Sequence, residues 1–273
     1  MALVTRFDLN SRFLLQDYPL TNDQLFRAAP SIFAPHPHAS RSQSYGYIPT
    51  IQVLNGLRRE GFQPFMAAQS RCFTPGKSRY TKHMLRLRRN WSTPSVDQEF
   101  PEVIMINSHD GSSSYQMMAG VFRIACYNGL VTGDVVQDVR VRHTGKDLVH
   151  DVIQAAYTIV DGFERVAESI EGMKATPLTV PEELAFADAA FALRYGEDAL
   201  IHPEELLTLH RDQDAEDDLW TTFNVVQENL LVRGGLKAWS AENRRMTIRP
   251  VQGIDSDVKL NKALWVLAER TLQ

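Results

Sequence analysis

Catalytic signatures are the first thing this sequence lacks. It has no GxxxxGK loop followed by Ser or Thr, no dinucleotide fingerprint, no HExxH, no CxxC and no GxSxG. An ATPase, a Rossmann dehydrogenase, a zinc protease and an α/β-hydrolase are therefore disfavoured. Cysteine is scarce: Cys72 and Cys126 lie far apart and are expected to be reduced and buried rather than bridged. No run of apolar residues is long enough for a membrane span. The opening MALVTRFDLNSRFLLQDYPL has no charged segment leading into a long apolar one, so a cytoplasmic protein is expected. Internal repeats and low-complexity tracts are absent as well. A net charge of −4 argues against a protein that coats nucleic acid all over, while leaving room for a local patch.

The most telling absence is local. From Gln69 to Trp91 (QSRCFTPGKSRYTKHMLRLRRNW) there is no acidic residue. The same stretch holds Arg71, Lys77, Arg79, Lys82, Arg86, Arg88 and Arg89, with His83. Phe62 to Thr74 reads as a strand, Pro75-Gly76 as a turn and Ser78 to Trp91 as the returning strand. Period two puts Lys82, Arg86 and Arg88 on the face opposite Leu85 and Leu87, with Met84 breaking the pattern. A phosphate backbone requires several cations on one surface, and a β-ribbon can supply them. Tyr80, Trp91 and Phe73 are near enough in sequence to stack on bases. A solvated sheet face, its cations paired with some of the 33 acids, explains the stretch as well.

The rest of the chain supplies the frame. TNDQLFRAA predicts a short helix capped by Thr21 or Asn22, and Ser44 to Ile48 a short strand. Pro49 opens a helix over Thr50 to Glu60 that Gly61 ends. Glu102 to Ser108 and Tyr115 to Cys126 form a hairpin across Asp110-Gly111. Asn128-Gly129 reads as a turn and Val135 to His143 as a further strand. From Val149 to Ile170 an apolar stripe predicts one long helix containing Gly162. Helices follow over Glu182 to Tyr195, Ala215 to Arg233 and about Ser256 to Leu272, with a short turn from Pro203 to His210. A polar basic stretch with Arg244, Arg245 and Arg249 precedes the last of these helices.

Other candidate chemistry has a plainer explanation in each case. His36 and His38, flanked by prolines, lack partners at metal-ligand spacing and read as a loop. His109 and Asp110 with Arg123, Cys126 and Asn128 could make a base and a nucleophile, but His109 and Cys126 fall at opposite ends of the hairpin. The acids Asp212, Asp214, Glu216, Asp217 and Asp218 could hold Mg²⁺ or Mn²⁺, yet suit the start of the following helix without a metal. Asn224, Gln227 and Glu228 share a helix face with a possible reach to the RGG segment after it.

The segments YGYIPT, QSRCFTPGKSRYTKHMLRLRR, INSHDGSSSYQMMAGVFRIACYNGLV, FNVVQENLLVRGG and LNKALW carry a resemblance. Over nearly its whole length the chain resembles the uncharacterised phage/plasmid-like protein family of enterobacterial prophages and conjugative plasmids. The resemblance brings no catalytic residues. It implies an accessory protein of mobile DNA, concerned with nucleic acid or with host defences, rather than a metabolic enzyme.

The expected fold class is α+β: a mostly antiparallel sheet of about five or six strands with a C-terminal helical region packed on it. The expected division is an irregular segment 1–39, a sheet region 40–144 with the basic hairpin, and a helical region 145–273, together one globular unit. The expected function is non-enzymatic nucleic-acid binding through Arg71, Lys77, Arg79, Tyr80, Lys82, Arg86, Arg88, Arg89 and Trp91. DNA, single- or double-stranded, or RNA would be the partner. The alternatives are a module that binds and antagonises a host protein, and a metal-dependent nuclease or phosphoesterase. No cofactor and no membrane partner are expected. The 149–170 stripe would serve a homo-oligomer or pack on the protein's own elements.

Overall fold

The computed structural model describes residues 12–42, 45–74, 76–89, 99–123, 128–133, 136, 138–143 and 147–272. The described strands are β1 (Arg12–Leu15), β2 (Phe62–Gln69), β3 (His83–Arg89), β4 (Glu99–Asn107), β5 (Tyr115–Arg123), β6 (Asn128–Val131), β7 (Val139–Val141), β8 (Leu200–Ile201), β9 (Lys237–Trp239) and β10 (Arg245–Thr247). The described α-helices are α1 (Asn22–Ala28), α2 (Thr50–Arg59), α3 (Leu148–Asp161), α4 (Phe163–Lys174), α5 (Val180–Tyr195), α6 (Pro203–Leu206), α7 (Leu219–Gln227) and α8 (Ile254–Thr271). The class is α+β, and the chain forms two compact units, 1–124 with 136–163, and 125–135 with 164–273.

In the first unit the strands run in the order β1-β2-β3-β4-β5, with β7 also on β5, every pair antiparallel. Short connections make antiparallel pairing the natural outcome. Pro64 interrupts β2 and has no N–H to donate, and the β2–β3 register shifts between Pro64 and Met66. One sheet face packs on α2 and α3. There Val53, Leu54 and Leu57 of α2, Val152, Ala156 and Ile159 of α3, and Leu85, Leu87 and Met117 of the sheet are buried. Gly56 lets the two helices approach, since a Cβ there would lie 2.9 Å from Val149 Cγ1. Thr21 caps α1 in a reciprocal box with Gln24, and Gly61 ends α2 at a φ of 88°.

The long helix read from the stripe is two helices. Gly162 separates α3 from α4, and a Cβ on it would sit 2.5 Å from Val136 Cγ2. Val152, Ala156, Ile159, Val166 and Ile170 are all buried within one chain. Helix α3 belongs with the sheet, so the division does not fall at residue 144. Two other readings are corrected. Asn128-Gly129 starts β6 rather than forming a turn, and Tyr45 and Tyr47 lie in irregular chain rather than on a strand.

In the second unit α5 begins with a Thr179–Glu182 capping box and ends at Gly196, whose φ is 86°. Helix α7 is capped by the Asp218 carboxylate, which accepts from Thr221 N. It runs into a π-helical stretch over Glu228–Arg233. Three short strands, β10-β9-β8, form a small antiparallel sheet that the sequence reading missed, because none exceeds three residues. No helix among the described residues is long and apolar enough to cross a membrane.

Candidate nucleic-acid interface

The acid-free stretch divides into a buried half and an exposed half. In β3 the residues of both faces are buried, because helices cover one face and the other is also shielded from solvent. Arg86 and Arg88 are 3% and 2% exposed. Arg88 Nε donates to Glu102 Oε1 at 2.8 Å, and Arg86 Nη1 lies 3.3 Å from Glu102 Oε2. The Arg88 guanidinium also sits 4.4 Å from the Phe65 ring, 4.5 Å from Phe122 and 4.8 Å from Phe100. Its two Nη atoms have no hydrogen-bond acceptor and face these rings. As they stand, Arg86 and Arg88 present nothing to a phosphate. Period two correctly assigned them to one face, but that face is not a solvent face.

Arg89, at the end of β3, is exposed and lies over Tyr157 at 4.8 Å and Phe62 at 5.6 Å. Trp91 lies outside the described residues, as does Cys126. Cys72 is a free thiol and half-buried rather than buried.

The exposed half is the connection from 70 to 82. Its base closes where Ser70 N donates to the Lys82 carbonyl (2.8 Å) and Thr81 Oγ1 donates to the Ser70 carbonyl (3.2 Å). Gln69 Nε2 reaches across to the Ser78 carbonyl at 2.8 Å. Beyond that base, Arg71, Phe73 and Arg79 are exposed, and Lys77 and Lys82 partly so. Gly76 turns the chain at a φ of 75°. Arg71 and Arg79 have no carboxylate partner among the described residues, whereas Lys77 pairs with Asp110 at 3.2 Å. The Tyr80 ring is engaged by His36 and His38, at centroid distances of 5.6 and 5.3 Å. The prolyl-histidine loop thus serves as packing for Tyr80.

Under this loop lies a polar network that the sequence reading did not find. Thr50 Oγ1 is 2.9 Å from His83 Nε2, 3.1 Å from His109 Nε2, 3.0 Å from Asn107 Nδ2 and 3.4 Å from Tyr115 Oη. His143 Nε2 donates to Asn107 Oδ1 at 3.0 Å. The carbonyl of Thr81 and the hydroxyl of Ser31 face His83 Nδ1 at 3.2 and 2.9 Å. A carbonyl only accepts, so Nδ1 carries the His83 proton and Nε2 accepts from the Thr50 hydroxyl. Thr50 then accepts from Asn107 and His109, leaving His109 Nδ1 as a buried lone pair without a partner.

The Thr50–His83 link requires a neutral imidazole, since His83 Nε2 accepts there. Burial lowers the His83 pKa to about 4. Burial, and then the neighbouring His83 and His143, lower His109 to about 2. His143 is also lowered by burial. Thr50, His83, Asn107, His109 and Tyr115 are wholly inaccessible, so the network offers no base to a substrate. It ties the loop to the sheet, with His109 N donating to the Tyr80 carbonyl at 2.9 Å. The one sequence signal for it was His83 among the apolar residues of its strand face.

The His109–Asp110 pair is not a dyad. The Asp110 carboxylate accepts from Ser112 N and Oγ at 2.9 and 2.6 Å and pairs with Lys77. Burial pushes its pKa up, but these partners bring it down to about 2. Arg123 stands at the far end of β5 from that turn.

The acids of the second unit are engaged similarly. Asp218 caps α7, and Asp214 pairs with Arg211 at 3.0 Å. Glu228 accepts from Arg211 and Arg233, which connects α7 to the RGG segment. Gln227 Nε2 donates to Asn261, and Asn224 Nδ2 to the Trp220 carbonyl. A cavity of about 270 Å³ is lined by Glu183, Asp214, Glu216, Asp217, Thr221 and Val225 among others. Burial raises the Glu183 pKa, with Asp217 adding to the effect. Among the described residues no three His, Cys, Asp or Glu side chains converge as a metal-ligand set. Arg244 and Arg245 lie at the start of β10, and Arg249 follows it.

The first unit is thus an antiparallel α+β frame with a buried histidine network beneath a basic loop. The chain belongs to the family described as Domain of unknown function (DUF932), which matches residues 37–265. It is 48% identical over 271 residues to UPF0380 protein YafZ of Escherichia coli (strain K12), covering 99% of this chain and 97% of that one. It is equally similar to UPF0380 protein YfjQ of the same organism, 48% identical with the same coverage. No solved structure matches it.

Proposed function

We propose that this is a non-enzymatic nucleic-acid-binding accessory protein of mobile DNA, acting in the cytoplasm through the β2–β3 loop. The observation that carries this reading is the acid-free, exposed loop tip with Arg71 and Arg79 unneutralised. Two further supports are the immobilised loop base and the resemblance to prophage and plasmid proteins. Binding would rest on phosphate contacts by Arg71, Arg79 and Lys82, with Arg89 outside the loop. Arg86 and Arg88 have no part in it.

The test is a salt series of binding to labelled oligonucleotides by fluorescence anisotropy. With about three phosphate contacts, log K should fall against log salt with a slope of about −2 to −3. Arg71→Glu with Arg79→Glu should abolish binding at unchanged melting temperature. Retention by the double variant would remove the proposal. Substituting Arg86 or Arg88 tests nothing about binding, because both are buried.

A second reading rests on the acidic cavity of the helical unit, which suits a basic segment of a host protein. One stoichiometric host protein retained by the wild type and lost with Glu216→Lys and Asp217→Lys, with no nucleic acid bound, would favour it.

A further inference from the structure

We infer that the β2–β3 loop takes single-stranded polynucleotide and selects it over duplex by stacking a base on Phe73, an inference that rests on the function proposed above. Phe73 is 84% exposed, more than any other large hydrophobic side chain among the described residues. Among the described residues, the Arg71 guanidinium lies over its ring, 5.2 Å from the centroid. Phe26, also exposed, packs edge-on against Phe33 at 5.6 Å. Phe73 therefore offers an open π-face, next to a cation, in a stretch with no acid.

That combination fits one strand class. A single strand exposes base faces and phosphates together, so ring and guanidinium can be engaged at once. In a duplex the base faces are stacked on one another and only edges are presented in the grooves. A phenyl ring has no donor or acceptor with which to read an edge. Its stacking is also indifferent to base identity, so weak sequence preference is expected. Tyr80, held by His36 and His38, is not a second platform.

The experiment compares oligo-dT, oligo-rU and a mixed-sequence duplex of equal length, at constant salt, against wild type, Phe73→Ala and Phe73→Trp. Phe73→Ala should weaken single-strand binding about tenfold and leave the duplex affinity unchanged. Phe73→Trp should restore binding, and its emission should be quenched on adding the single strand. Equal binding of dT and rU supports the inference for both sugars; preference for one supports it and names the source. If Phe73→Ala binds single strands as tightly as wild type, or loses single strand and duplex alike, the inference is overturned while the basic loop stands. If wild type binds none of the three, the proposed function falls and the inference falls with it.

Discussion

The Arg88 guanidinium and the Glu102 carboxylate meet at 2.8 Å directly across β3 and β4, both out of reach of solvent. Glu102 also faces Arg86, so one carboxylate serves two buried cations. Removing that charge should be costly, because an unpaired buried cation is worse than no ion at all. Glu102→Gln should lower the unfolding free energy by about 3–5 kcal/mol. Urea unfolding checks this, and a loss below about 1 kcal/mol would show that the cations find another counter-ion.

Thr50→Val is nearly isosteric but deletes the oxygen on which His83, His109, Asn107 and Tyr115 converge. Leaving buried polar groups unsatisfied costs about 1–3 kcal/mol each. A substantial loss of stability is expected, and Thr50→Ser should recover most of it. Equal stability of the two variants would mean that packing rather than hydrogen bonding matters at this position.

The same network sets an acid limit. His83 and His109 have folded-state pKa values of about 4 and about 2, below the ordinary value of 6.5. Below 6.5 the unfolded chain therefore takes up protons that the folded chain refuses. Stability is full above that pH and falls as the pH drops toward 4, by about 2 kcal/mol per histidine at pH 5. Asp110, lowered to about 2, stabilises above the ordinary carboxylate range and is lost only in stronger acid. Urea midpoints at pH 7.5, 6 and 5 read the effect, and a flat profile would contradict neutral burial.

At Gly162 two tendencies oppose one another. Alanine would favour the helix by about 1 kcal/mol. Its Cβ, however, would sit 2.5 Å from Val136 Cγ2. The clash should prevail, with Gly162→Ala destabilising by about 1–3 kcal/mol. Adding Val136→Ala should relieve it, which a comparison of thermal midpoints would show.

Much of the frame was legible because its signals are local. Thr21 caps α1 and Asp110-Gly111 turns the β4–β5 hairpin as read, whereas the helix read from Ala215 begins only at Leu219, after Asp218 caps it. The candidate site was legible only in part. The exposed cations Arg71 and Arg79 fall within the stretch that the sequence singled out, but so do Arg86 and Arg88, which the fold turned inward. The Thr50 network was illegible because its members are spread from residue 31 to 143 and meet only in space.

The sequence by itself determined the Thr21 cap, the β4–β5 hairpin and the acid-free stretch, since each depends on residues near one another in the chain. Tertiary structure alone decided which cations reach water. Strand alternation assigns a side chain to a face, but what covers that face is set by distant residues, here Phe65, Phe100, Glu102 and Phe122 around Arg88.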